Sequence, residues 1–168
     1  MITARRHNYL FNPMEKEIIA ALTKIKDLYG KPAAIKVESL FRNETRHFKS
    51  GNYAATFSPG MEAVKKPDGS VLPYPYGWTS LRAFWDNHPN YKPVGLHHQV
   101  ENDSAMMKSR GERAFIVFPS IEAGFMTVAE RLRNKGWDTG AWASNDKAAQ
   151  DKYRNYLLGI KTPYANAL

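Results

Sequence analysis

The sequence contains no cysteine. Disulfides, thiolate zinc sites and cysteine nucleophiles are therefore excluded. No apolar run approaches the ~20 residues that a membrane-spanning helix requires, and the N-terminus has two arginines but no apolar segment of the kind found in secretory signals. We therefore expect no membrane span and no signal peptide. Neither a glycine-rich phosphate loop nor a G-x-S-x-G nucleophile elbow is present, and we expect no cofactor.

Acidic residues are in the minority. The chain has 16 Asp and Glu against 24 Lys and Arg, which gives a net charge of +8. The net charge is +6 over residues 1–66 and +2 over residues 67–168. This balance favours an acidic partner, which can be nucleic acid, a membrane surface or an anionic polymer such as a cell wall. Charge alone does not choose among them.

The length of 168 residues suits one domain with a real hydrophobic core. Pro13 and Glu15 mark a helix start, and the spacing of the apolar residues predicts helices over 13–29 and 32–46. The same reasoning predicts three further helical segments: from Ser120 to Gly136, over about 146–158, and a short turn from Pro163.

Glycines and prolines are frequent between residues 49 and 111. There, Pro67-Asp68-Gly69 is a turn signal that predicts a β-hairpin over 62–74. The predicted fold class is α+β, mostly α, in a single domain with an N-terminal arm at 1–12 and an irregular hairpin and loop lobe at 49–111. The other predicted segments are a short helix over 79–86, a loop over 87–111 and a strand over 114–118.

Glu44 is the most informative residue for function. It ends the second predicted helix, on the face shared by Val37, Leu40 and Phe41, so we expect its carboxylate to be buried. A carboxylate on an apolar face is costly unless it is paired or protonated, and a protonated one can act as a general acid. The alternative is a buried ion pair with a base such as Arg42.

Three segments of the chain, taken in order, carry a family resemblance. The stretch ESLFRNETRHF, 38–48, precedes the predicted hairpin and the aromatic loop YPYGW; FIVFPSIEAGFMTVAERL follows at 115–132; the tail YLLGIKTPYANAL ends the chain. This order resembles the lysozyme-like superfamily, and the later segments are similar to phage peptidoglycan hydrolases of the glucosaminidase and lytic transglycosylase type. The resemblance implies a lysozyme-like helical domain with a small hairpin lobe.

The same resemblance implies roles for individual residues. In such folds the catalytic acid ends a helix at the floor of a cleft, and the hairpin forms the opposite wall; here that acid is Glu44. Tyr164 matches the C-terminal tyrosine of the family in sequence context, although a packing role explains it equally well.

The chain departs from the family in its second carboxylate. Glucosaminidase-type members usually carry an acidic residue on the hairpin lobe, but SVLPYPYGW has none, and Glu62 and Asp68 lie earlier in the hairpin. Hydrolases need two carboxylates, whereas a lytic transglycosylase needs one acid/base group because the substrate's own 6-hydroxyl attacks. The sequence therefore favours a lytic transglycosylase in which Glu62 or a tyrosine assists Glu44. It also leaves open an inactive relative.

The aromatic residues of the middle lobe suit a saccharide cleft, because the C–H faces of sugars stack on Tyr and Trp while polar neighbours bond to hydroxyls. The alternative is that these residues build a core beneath the loop. The neighbouring His97 and His98 would point to opposite faces of a strand, and no metal site is predicted. The predicted substrate-binding residues are Asn52, Tyr53, Ser58, Tyr74, Tyr76, Trp78 and Tyr164.

Together these observations lead to one functional hypothesis: a phage-type domain that cleaves the glycan strands of peptidoglycan, as a muramidase, glucosaminidase or lytic transglycosylase. It would be made in the cytoplasm and would act, virion-associated, in the periplasm or cell wall. Its partners would be peptidoglycan or another anionic polymer and other virion proteins. The alternatives are an inactive virion structural protein and a small basic protein that binds nucleic acid.

Overall fold

The structure is a computed structural model that describes residues 13–63, 78–103 and 108–168. Within these ranges the chain is mostly helical with one two-stranded antiparallel sheet, which confirms the predicted α+β, mostly α class. The helices are α1 (Pro13–Tyr29), α2 (Lys31–Glu44), α3 (Gly51–Thr56), α4 (Arg82–Asn87), α5 (Ile121–Asn134), α6 (Lys147–Leu158) and α7 (Pro163–Asn166). Short 3-10 turns cover Thr79–Leu81, Pro89–Tyr91 and Thr139–Trp142.

The first two helices form a hairpin around Gly30. This residue has φ +94°, a left-handed conformation that glycine adopts without strain, and Pro32 then starts the new helix, where its missing N–H is not needed. The predicted bounds of α1 are confirmed. The predicted second helix was two residues too long, because Thr45 caps α2 by returning its backbone N–H to the carbonyl of Phe41.

The sheet consists of β1 (Gly95–Asp103) and β2 (Lys108–Val117), which pair in an antiparallel register from Gly95 opposite Val117. Residues 114–117 of the strand predicted over 114–118 lie within β2. The predicted loop over 87–111 is wrong, because all of β1 and the first residues of β2 fall inside it. The hairpin predicted over 62–74 lies mainly outside the described residues. Its first residues extend the sheet, since Ala63 N–H bonds to Ala114 at 2.8 Å and Ile116 N–H bonds to Met61 at 2.9 Å.

The core lies where α1, α2 and α5 pack together. Leu22, Leu40 and Phe125 have no exposed surface, and the rings of Phe41 and Phe125 stack at a centroid distance of 3.9 Å. The sheet joins this core through Ile116, which is also fully buried. Among the described helices, none combines the length and the apolar character that crossing a membrane requires.

One glycine marks the closest backbone approach in the core. Gly124 of α5 lies against the carbonyl of Phe57, and an added Cβ would overlap that oxygen. The small residue therefore sets how closely α5 approaches the segment after α3.

We expect Gly124→Ala to lower the free energy of unfolding by about 1–3 kcal/mol, because the helix must shift away from Phe57. Gly51→Ala is the matched control, since nothing lies within 4 Å of its added Cβ. Urea denaturation measures both. Equal stability of the two variants would contradict the described approach of α5 to Phe57.

Candidate functional site

Glu44 is the last residue of α2 and its side chain is exposed. The expectation that it is buried on the apolar face is therefore wrong. The physical reason is that the core ends one turn earlier: Thr45, only 1% exposed, turns inward in its place, and its hydroxyl donates to the carbonyl of Phe41 at 2.5 Å.

Glu44 nevertheless has a defined environment. The hydroxyl of Tyr153 donates a short hydrogen bond to its carboxylate, and the amide of Asn43 lies 3.4 Å from the same oxygen and donates to the Tyr153 hydroxyl at 3.1 Å. Burial, together with the bond to Glu44, raises the pKa of Tyr153 above its ordinary value of 10. Tyr153 is therefore a neutral donor that holds the carboxylate in place.

Glu44 bonds to two side chains that line a cleft, although it is not itself a lining residue. This cleft has a volume of about 530 Å³, within the range of small-ligand sites. Both residues that bond to Glu44 line it. Tyr156 also lines it, with 61% of its surface exposed. The full lining is Asn43, Ala143, Ala149, Lys152, Tyr153 and Tyr156.

The helix that carries Tyr153 is fixed by an ion pair. Arg154 donates from Nε to Asp138 Oδ1 at 2.6 Å and from a terminal nitrogen to Oδ2 at 2.8 Å. The hydrogen bonds from Arg154 hold the pKa of Asp138 at about 2, well below its ordinary value. This bidentate pair ties α6 to the 139–142 turn, so that the two walls of the cleft keep their spacing.

A larger cleft of about 830 Å³ lies on the other side of α6. Its walls include Ile35, Leu157 and Ile160, and its one lining carboxylate is Asp138. Arg154 binds both oxygens of Asp138, and no other carboxylate among the described residues lines this larger cleft. The smaller cleft has no carboxylate in its described lining either, but two of its lining residues bond to the exposed Glu44. We therefore take the smaller cleft as the candidate site.

Glu62 is bonded to different residues from those that bond to Glu44. Its two carboxylate oxygens accept from Arg113 at 3.1 and 2.8 Å, and its backbone pairs with Phe115 beside β2. Among the described residues, no hydrogen bond or ion pair connects Glu62 with Glu44. The structure therefore does not join the two predicted catalytic carboxylates.

Three of the predicted substrate-binding residues pack against the interior of the protein. Tyr53 is fully buried, its ring is 6.2 Å from that of Phe41, and burial raises its pKa. Ser58 is 1% exposed, and its hydroxyl accepts from the backbone N–H groups of the turn at 60–61. The side-chain oxygen of Asn52 is buried beside them. Contact with a ligand would require Tyr53 and Ser58 to move, whereas Asn52 keeps part of its surface exposed.

The other predicted binding residues divide between two places. Trp78 is half-buried, and its indole N–H donates to the carbonyl of Glu62 at 2.9 Å. Tyr164 packs over Arg42, with the guanidinium carbon 4.7 Å from its ring centroid. Tyr74 and Tyr76 lie outside the described residues.

A second carboxylate on α2 was missed by the sequence reasoning. Glu38 has no exposed surface, and it accepts from Arg42 Nε at 2.6 Å, from the backbone N–H of Ala165 at 2.6 Å and from that of Tyr164 at 3.4 Å. The signal was available, because Glu38 falls on the same apolar face as Ala34 and Phe41. Tyr153 and Tyr156 lie on the helix predicted over 146–158, and the sequence reasoning assigned neither of them a functional role.

We expect Glu38→Gln to lower the free energy of unfolding by about 3–5 kcal/mol, because it leaves Arg42 unpaired in a buried site. The control Glu122→Gln removes an exposed pair with Lys24 at 3.4 Å and should cost less than about 1 kcal/mol. Urea denaturation followed by circular dichroism compares them. A Glu38→Gln protein as stable as the control would remove Glu38 from the structural account.

Comparison of the chain with protein-family models, with curated proteins and with solved structures finds no match. The function must therefore be argued from the site itself.

Proposed function

We propose that this protein cleaves the glycan strands of peptidoglycan, with Glu44 as the general acid. The observation that carries the proposal is the position of Glu44. It is an exposed carboxylate at a helix end, and it accepts a hydrogen bond from Tyr153, which lines a cleft together with the exposed Tyr156. A glycosidase needs a carboxyl group in this kind of place, next to surfaces on which sugar rings can stack.

The chemistry follows from the neighbours of Glu44. A sugar ring stacked on Tyr156 would bring a glycosidic oxygen towards Glu44, which can protonate it. After proton transfer, the hydroxyl of Tyr153 and the amide of Asn43 would stabilise the carboxylate by hydrogen bonding.

The number of carboxylates that are free to take part in catalysis favours lytic transglycosylase chemistry. The carboxylate proposed as an assistant, Glu62, is engaged by Arg113, and Glu38 is engaged by Arg42. A reaction in which the 6-hydroxyl of the substrate attacks needs only one acid/base group. We therefore favour this route over hydrolysis, with the phage origin and the action at the cell wall as parts of the same proposal.

The basic side chains give the proposal limited support. Lys152 lines the cleft, and the net charge of +8 favours an anionic wall. Several lysines of α1 and α2 are used in internal contacts, since Lys24 pairs with Glu122, Lys31 bonds to the carbonyl of Asn166 and Lys36 to that of Trp137. This use weakens the nucleic-acid alternative. The exposure of Glu44 is the observation that favours the inactive-relative alternative.

The test is turbidity clearing of purified peptidoglycan. Glu44→Gln should lower the clearing rate by about 10²–10⁴-fold, the range for loss of a general acid, with the free energy of unfolding nearly unchanged. Tyr153→Phe should lower it by about 10-fold, because one hydrogen bond to the charged carboxylate is lost. Clearing by the wild type should fall as salt rises.

Glu122→Gln is the control, because it removes an exposed carboxylate of α5 that pairs with Lys24. Clearing that persists in Glu44→Gln would contradict the role of Glu44. If a folded Glu38→Gln protein were inactive instead, the acid would have to be Glu38, reached by movement of the Tyr164–Ala165 segment. A folded wild type that clears no substrate across pH and salt would reject the proposed function.

A further inference from the structure

The larger cleft, of about 830 Å³, is not used by the proposed function. Four parts of the chain contribute to its walls: the middle of α2, the residues at 137–139, the end of α6, and the segment from Ile160 into α7. A volume of this size falls within the range of sites for small molecules. Walls from four parts of the chain also favour a small ligand over a flat partner surface.

Most of the lining of this cleft is apolar. Leu157 is 5% exposed, and Ile35 and Ile160 are half-buried. The buried hydroxyl of Ser39 donates to the carbonyl of Leu157 at 2.9 Å, so this polar group is already used within the protein. Leu158 continues the apolar lining to the surface, where 84% of the residue is exposed. An apolar ligand in the cleft would cover it.

The charge of the lining is positive. Its described residues include one carboxylate, Asp138, and Arg154 binds both oxygens of that group. Two further cations, Lys36 and Lys161, line the cleft. Lys36 donates to the carbonyl of Trp137 at 3.2 Å, and this neutral acceptor leaves its charge uncompensated. Among the described residues, no hydrogen bond or ion pair to Lys161 is found. The cleft therefore suits an anion.

We propose that the larger cleft binds a small amphipathic anion, in which an aliphatic chain carries one acidic group. The chain lies against Leu157, Leu158 and Ile160, and the acidic group pairs with Lys161 and Lys36. Burial of the chain drives binding, while a lysine ammonium, as a point charge, pairs with the acidic group without a fixed geometry. This site goes beyond the proposed function, because Glu44 and the residues that bond to it take no part in it.

Octanoate, 1-octanol and octylammonium are matched probes, because they share a chain and differ in the charge of the head group. Titrations followed by the amide shifts in proton–nitrogen NMR measure both the affinity and the place of binding. We expect saturable shifts at residues 35–39 and 157–162, with octanoate bound about 5-fold more tightly than octanol, the upper range for an exposed ion pair. Octylammonium should bind more weakly than octanol, since the two lysines repel it.

Three variants separate the two parts of the site. Lys161→Gln should lower the affinity for octanoate about 3-fold and leave that for octanol unchanged. Lys152→Gln is the matched control, because it removes the same charge from an exposed residue that lines the smaller cleft. Its affinity for octanoate should equal that of the wild type. Leu158→Gln should weaken octanoate and octanol alike, by about 3–10-fold, because apolar contact is lost.

The probes can overturn the proposal in three ways. Apolar surface alone binds octanol at least as tightly as octanoate, because a charged head group is better hydrated, and such a result in the wild type would reject the anion. Equal losses in Lys161→Gln and Lys152→Gln would show a response to net charge instead of to this cleft. Shifts confined to the smaller cleft, or no saturable shifts, would reject the site and leave this face for a macromolecular partner. The NMR spectrum of each variant verifies its fold.

Discussion

The buried carboxylate of Glu38 is the interaction on which the arrangement of the helices depends. It joins α2 to the C-terminal segment through the N–H groups of Tyr164 and Ala165, and to its own next turn through Arg42. Arg42 in turn lies over the rings of Phe48 and Tyr164. A charge buried in this way is tolerated only when hydrogen bonds surround it. The C-terminal residues are thus held against α2 by polar contacts as well as by packing.

Glu38 has a structural role, whereas the role proposed for Glu44 is catalytic. Both carboxylates belong to α2, but Glu38 is enclosed by three N–H donors, whereas Glu44 is exposed and bonds to Tyr153, which lines a cleft. Tyr153 belongs to α6, which the Asp138–Arg154 pair holds in place. Of these two acids of α2, Glu38 therefore stabilises the fold, and Glu44, six residues later, carries the proposed chemistry.

The sequence predicts much of the helical fold and little of the site. Strong apolar periodicity and helix-ending glycines located α1 and α5, because such patterns act locally. The strand β1 was missed since Gly95-Leu96-His97-His98 lacks an alternating apolar pattern, and pairing with β2 supplies the missing order. Burial of Glu44 was mispredicted because spacing does not show where a core ends. The contact of Trp78 with Arg131 joins residues 53 positions apart, and no local pattern indicates it.

The most direct measurement is mass spectrometry of the soluble products released from purified peptidoglycan by the wild-type protein. Cleavage of the glycan strand predicts disaccharide-peptide fragments, and an acid acting alone predicts 1,6-anhydro ends on the muramic acid units. Fragments cut only at peptide bonds, or no fragments from a well-folded protein, would contradict the account.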